Sequence, residues 1–205
     1  MGDTQATPIR RQEPVYQHWM EAADFPLYDT IYLPFGAKGR RAMGFVDPIG
    51  NVISTNEGHK TKDWTDTNLW EPGFLPHPHA FFIEEITCGF VKGGEIVSIR
   101  SPFYPGTILE FSINNKLYWN SPVTQVAEPA AFFVDDDERK TALTRDLFHF
   151  LRRPLGCPLL INTAESFKAT ARFDDRLDLD HCGMAGGGPD KLVIFLRGRY
   201  YRAVV

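Results

Sequence analysis

Thr107 to Asn120 reads TILEFSI-NN-KLYWN, two runs of aromatic and β-branched residues on either side of Asn114-Asn115. Asparagine accepts positive φ more readily than most residues, and a two-residue loop with both residues in that region matches the twist of an antiparallel pair. The segment is therefore predicted to be a β-hairpin. A two-residue loop sets Ile113 against Lys116, Phe111 against Tyr118 and Leu109 against Asn120, so that Phe111 and Tyr118 form a cross-strand aromatic pair worth about 0.2–1 kcal/mol.

Working outward, Phe81 to Val91 has the length of a long strand, with Phe82, Ile86, Cys88 and Phe90 predicted to share one face and Glu84 the single charge among them. Shorter strands are expected at Ile31–Leu33, Met43–Val46 and Val52–Ile53, each stopped by a proline or a polar loop. Residues 54–80 then form a connection longer than the ~12–15 residues usual for unstructured chain, which marks it as functional or interfacial. It carries Trp64, Trp70 and Phe74. Downstream of the hairpin, Cys157–Ile161 and Leu192–Val205 read as strands, and Glu165–Phe173 alternates with Phe167, Ala169, Ala171 and Phe173 on one face.

One helix is predicted, over about 137–153. Asp135 to Asp137 offer a cap, Glu138 lies in the first turn, Leu143, Leu147 and Leu151 repeat at four-residue spacing, and Arg152-Arg153 precede Pro154. Residues 1–30 are polar and broken by Pro8, Pro14 and Pro26, with Arg10, Arg11, Tyr16 and Trp19 among them, a composition suited to an arm lying on another surface. Eight or nine irregularly spaced strands with one inserted helix predict an all-β fold. The expected architecture is an antiparallel two-sheet jelly-roll sandwich, with residues 31–205 as a single domain behind an extended N-terminal arm at 1–30.

Composition agrees with a β-rich domain: the 205 residues include 17 Gly and 15 Pro, and aromatics reach 13%. The net charge of -4 supplies no global positive field, so general nucleic-acid binding is not expected. No apolar run has the ~18–20 residues a membrane span needs, and the first twenty residues lack the apolar core of a signal peptide, so a soluble protein made in a cytoplasm is expected. Three cysteines without CxxC spacing, Cys88, Cys157 and Cys182, indicate neither a disulfide framework nor a cysteine zinc knuckle.

Three clusters invite a chemical reading. His77-Pro78-His79 with Glu84 and Gly89 gives HxH(x4)E followed by glycine, which resembles the first metal motif of cupins; that resemblance implies a metal-dependent oxygenase or isomerase on a jelly roll. The chain departs from the pattern in the short spacing after Gly73, in lacking a second PxGxxH motif after Tyr104-Pro105-Gly106, and in having no turn between the histidines and the glutamate. On a continuous strand His79 and Glu84 stand ~17 Å apart on opposite faces, so no metal site is predicted. Asp174, Asp175, Asp178 and Asp180 lack the spacing of an EF-hand and read as a solvated acidic loop rather than a calcium site. Neither GxSxG nor a phosphate-binding glycine loop occurs, so no catalytic residue and no cofactor is assigned. Lys38, Arg40 and Arg41 are expected to be solvated or interfacial.

Trp64, Trp70 and Phe74, with Arg10, Arg11, Tyr16 and Trp19, are the predicted interface residues, because aromatic and arginine side chains anchor protein–protein contacts. Stacking of Trp64 and Trp70 on a glycan is the alternative use of the same loop. The succession of polar arm, FFIEEITCGFV, ILEFSINNKLYWNSPV, PLLINTAESFKATARF and LVIFLRGRYYRAVV resembles small jelly-roll structural proteins of bacteriophage virions over about residues 80–205. That resemblance implies a capsid-associated protein of the virion, made in the host cytoplasm, that assembles with identical subunits and other virion proteins.

Overall fold

The computed structural model describes residues 20–33, 40–55, 58–127, 155–179 and 190–203. Regular structure within them is almost wholly strand. The first half of the chain supplies β1 (Met20–Asp24), β2 (Leu27–Tyr32), β3 (Arg41–Gly44), β4 (Val52–Thr55), β5 (Gly58–Thr61), β6 (Ala80–Lys92) and β7 (Glu95–Ile96). The second half supplies β8 (Thr107–Ile113), β9 (Lys116–Pro122), β10 (Leu159–Ile161), β11 (Phe167–Phe173) and β12 (Lys191–Ala203). One 3-10 turn, Val123–Gln125, is the only helical piece among the described residues, and the helix predicted over 137–153 lies outside them.

Two main antiparallel sheets form, of six and four strands. In the larger, β12 is flanked on one edge by β1 and β2 in succession and on the other by β6, which in turn pairs with β10 and β7. The smaller has the order β3-β11-β8-β9. These pairings nest: β8 with β9 at the centre, then β6 with β10, β3 with β11, and β2 with β12 outermost, successive pairs alternating between the two sheets. The chain is thus a long antiparallel ribbon rolled up, with the Asn114-Asn115 turn as its tip.

That turn forms as predicted, with φ of 50° at Asn114 and 62° at Asn115 and Ile113 opposite Lys116. The register then departs from the expected one. Phe111 faces Trp119 and Leu109 faces Ser121, because a bulge on β9 leaves Tyr118 without an opposite residue. The extra residue turns Trp119 toward the core and leaves Tyr118 exposed, so the predicted pairs Phe111–Tyr118 and Leu109–Asn120 do not exist.

A second bulge corrects the predicted face of β6. Arg197 opposes Glu85 and Gly198 opposes Ile83, so Glu84 is the additional residue. Before it the odd positions Phe81 and Ile83 enter the core; after it the even positions Ile86, Cys88 and Phe90 do. Phe82 therefore does not share their face. Gly198 is required at the crossing, since a Cβ there would stand 1.9 Å from the carbonyl oxygen of Phe82.

Strand structure also begins earlier than Ile31. Residues 20–30 contain β1 and most of β2, both hydrogen-bonded to β12, whereas the sequence placed them in the arm; residues 1–19 lie outside the described chain. Phe25-Pro26 stands between two edge strands, where a missing N–H interrupts no internal ladder. Within 54–80, β5 folds back on β4, so the long connection effectively runs from Lys62 to His79. Cys157 is exposed, and the strand predicted from there starts at Leu159.

The core lies between the sheets. Phe81, Ile83, Ile86, Phe90, Leu192, Ile194 and Leu196 face Leu109, Phe111, Ile113, Phe167, Ala169 and Ala171, the last three on the predicted alternating face of β11. Phe45 and Phe167 meet with ring centroids 5.5 Å apart.

Candidate interaction surface

The connection from Lys62 to His79 is fastened at several points along its length. Lys62 and Asp29 on β2 form an ion pair of 2.6 Å, with side chains only 3% and 0% exposed. The second Asp29 oxygen accepts the backbone N–H of Phe45, a residue held at φ 66° at the end of β3. Burial raises the Asp29 carboxyl above its ordinary range, and Lys62, as the nearest opposite charge, pulls against that rise. One buried carboxylate thereby joins β2, β3 and the connection.

Further bonds follow the same path. Asn68 donates to the carbonyl of Pro26 at 2.7 Å and accepts from the N–H of Tyr28 at 2.9 Å, and the Thr67 hydroxyl donates to the Tyr28 carbonyl at 3.2 Å. Asp66, itself buried, holds the Lys60 ammonium at 2.8 Å and accepts from the Tyr32 hydroxyl. Partial burial works against the charge on Lys60, but the bonds to Asp66 and Tyr32 outweigh it and raise its pKa. Farther along, Gly73 accepts the Phe167 N–H at 2.8 Å, and a Cβ at Gly73 would stand 2.6 Å from the Phe167 carbonyl oxygen. The connection is pinned to both sheets.

On this frame the aromatic residues face outward. Trp64 is 56% exposed, Trp70 62% and Phe74 38%. The two indoles pack edge to face with centroids 4.9 Å apart, and the Tyr28 hydroxyl donates to the Trp64 carbonyl. Beside them, the hydroxyl and N–H of Thr65 bind the Asp63 carboxylate and hold its pKa below the ordinary range. The remaining predicted interface residues, Arg10, Arg11, Tyr16 and Trp19, lie outside the described chain.

The other clusters are dispersed or internally engaged. His79 Nδ1 lies 2.7 Å from the Tyr200 hydroxyl, His77 Nδ1 lies 3.4 Å from that of Thr163, and Glu84 pairs with Arg199 at 3.9 Å. Burial lowers the His79 pKa, with Arg202 and His77 adding to the effect. Among the described residues no group of three or more His, Cys, Asp or Glu is placed to hold a metal ion. In the acidic loop Arg40 inserts among the carbonyls of Asp174 and Leu177 and pairs with Asp175 at 3.1 Å, a cation of the chain's own. Asp180 is outside the described residues.

A groove of about 530 Å³ opens beside the β6 bulge, lined by Asp24, Phe25, Glu84, Glu85, Phe195 and Arg197. Its carboxylates stand among arginines, Glu85 opposite Arg197 in the register and Glu84 beside Arg199. No helix of the described residues is long and apolar enough to cross a membrane. Sequence reasoning nominated the three exposed aromatics but missed Asp29, Lys62, Asn68 and Gly73, which hold them in place. Compared with protein-family models, with curated proteins and with solved structures, the chain matches none.

Proposed function

We propose that this chain is a non-enzymatic structural protein of a bacteriophage virion, a jelly roll that associates with identical subunits and other virion proteins. The observation that carries the proposal is the exposed Trp64–Trp70 pair, with Phe74, on a connection pinned to both sheets. Three large aromatics partly standing in water are a standing cost, whereas a partner covering them gains the apolar area still exposed without first ordering the loop. Aromatic anchors on rigid supports are the usual centre of a protein interface, and a standard one needs ~800 Å² per partner. The nested strand pairs alternating between two sheets support the jelly-roll assignment, an architecture shared by viral capsid proteins, lectins and cupins.

The test is sedimentation of the isolated protein and of purified particles, with wild type and a Trp64→Ala/Trp70→Ala variant. Wild type is expected as an oligomer or particle-bound. The variant is expected to keep its melting temperature, since exposed substitutions usually change stability by no more than ~0.5 kcal/mol, and to lose association. A wild-type monomer absent from particles overturns the proposal.

A second reading takes the same indoles, with the Asp63 carboxylate beside them, as a sugar-stacking platform of an attachment protein. It predicts glycan binding that the double variant abolishes without changing sedimentation. The cupin-like alternative has less support, because His77, His79 and Glu84 are engaged by three different partners.

A further inference from the structure

We propose that two copies of the chain join edge to edge through β1, pairing antiparallel about a two-fold axis at Ala22, so that their six-stranded sheets become continuous. This rests on the self-association proposed above and names a surface separate from the aromatic connection. A strand edge carries unpaired N–H and C=O groups directed outward, and another strand satisfies them best.

Among the described edges of the two main sheets, the alternatives to β1 are obstructed or shorter. The edge of β2 is covered by Thr67, which bridges Asp29, and by Asn68, whose N–H donates to the Tyr28 carbonyl at 3.3 Å. β9 carries the bulge at Tyr118, which twists an edge away from pairing. β3 has only 4 residues and begins at Arg41, while β10 has 3 and β7 has 2. β1, by contrast, has 5 residues without bulge, proline or lysine, pairs with β12 on one edge, and has no partner on the other among the described residues.

Its sequence is also self-compatible. In MEAAD, a two-fold at Ala22 sets Met20 against Asp24 and Glu21 against Ala23, leaving no like charges directly opposed. Directly opposed residues share a face of the sheet, so the axis must pass through a residue. At Glu21 it would oppose two glutamates, and at Ala23 it would pair only Ala22 to Asp24, whereas at Ala22 it pairs all 5 residues. Charge and strand length together select the Ala22 register. Ala22 and Ala23 are exposed and small, so a second backbone can approach closely.

The register makes a sharp test, performed on the full chain in a Cys157→Ser/Cys182→Ser background. Directly opposed Cα atoms in an antiparallel pair stand ~4.5–5.5 Å apart, within disulfide range. Ala22→Cys should therefore trap a covalent dimer on mild oxidation. Ala23→Cys, displaced from its own copy by more than the ~7 Å limit, should trap about tenfold less. Melting temperatures of both variants under reducing conditions verify folding. If the protein sediments as an oligomer and Ala22→Cys gives no dimer, or if the two variants cross-link equally, the β1 pairing is overturned while the self-association reading stands. If wild type sediments as a monomer at every concentration, both fall.

Discussion

The aromatic connection from Lys62 to His79 and the acidic loop after Phe173 each follow a strand and cross the surface, yet they are held by opposite means. The first is anchored by charges withdrawn from water, Lys62 on Asp29, and turns its apolar rings outward. The second is anchored by Arg40, on the surface, and turns its carboxylates outward. Exposed carboxylates are already solvated, so the acidic loop is satisfied as it stands. Exposed indoles gain only when covered, and a buried anchor that keeps them exposed is the feature on which the proposed interface rests. The difference shows that what a loop presents and what it stands on must be judged together.

The largest expected effect comes from breaking the buried anchor. Lys62→Met leaves the Asp29 carboxylate without its ammonium, and breaking one side of a buried pair costs about 3–5 kcal/mol. Without Lys62, burial should hold the Asp29 carboxyl still farther above its ordinary range. For a group whose folded-state pKa is raised, the contribution to stability is present at low pH and lost as pH rises through that value. The gap in melting temperature from wild type should accordingly widen from about pH 4 to about pH 7. Adding Asp29→Asn, which keeps an acceptor for the Phe45 N–H and removes the charge, should recover most of the loss. A Lys62→Met protein as stable as wild type across that range would remove the contrast between the two loops.

Breaking the surface anchor should do much less. Arg40→Ala removes an exposed ion pair with Asp175 and two bonds to carbonyls that water can replace, and exposed pairs are worth about 0–1 kcal/mol. Chemical denaturation of the two single variants side by side gives the ratio directly. A loss for Arg40→Ala equal to that for Lys62→Met would mean that burial of the anchor is not what distinguishes the loops.

How far the sequence discloses this arrangement depends on the range of each interaction. The Asn114-Asn115 turn was legible because positive φ is a property of the two residues themselves. The bulge three residues later was not, since whether Tyr118 or Trp119 faces the core is decided by which ring the opposite sheet accommodates. Glu84 likewise hides the change of face in β6, although Gly198, a glycine inside an apolar strand, was a usable sign of a bulge or close backbone approach. Trp64 and Trp70 were legible as an improbable concentration of indoles in a long connection. Their support was not: Lys62 and Asp29 are 33 residues apart, and nothing local marks them as partners.

At its far end the aromatic connection closes on His79, whose Nδ1 shares a hydrogen bond with the Tyr200 hydroxyl on β12, and the smallest effect is expected there. Tyr200 lies in the six-stranded sheet and packs on His79 and Phe81, with ring centroids at 5.3 and 6.1 Å, so the contact ties the entry of β6 to the last strand. Burial, with Arg202 and His77 nearby, holds the His79 pKa below its ordinary value. A group whose folded-state pKa is lowered contributes stability that is present above its unfolded value of about 6.5 and lost as pH falls through the folded one. Acidification from about pH 7 should therefore loosen this end of the connection while Lys62–Asp29 still holds the other, because the raised carboxyl of Asp29 does not favour opening in acid. A His79→Gln variant, which keeps a hydrogen-bonding group for Tyr200 and cannot take up the proton, should show a shallower fall in melting temperature below about pH 6.5 and match wild type above it. Parallel melting curves at every pH would place the acid sensitivity elsewhere and remove the His79–Tyr200 contact from the anchors of the connection.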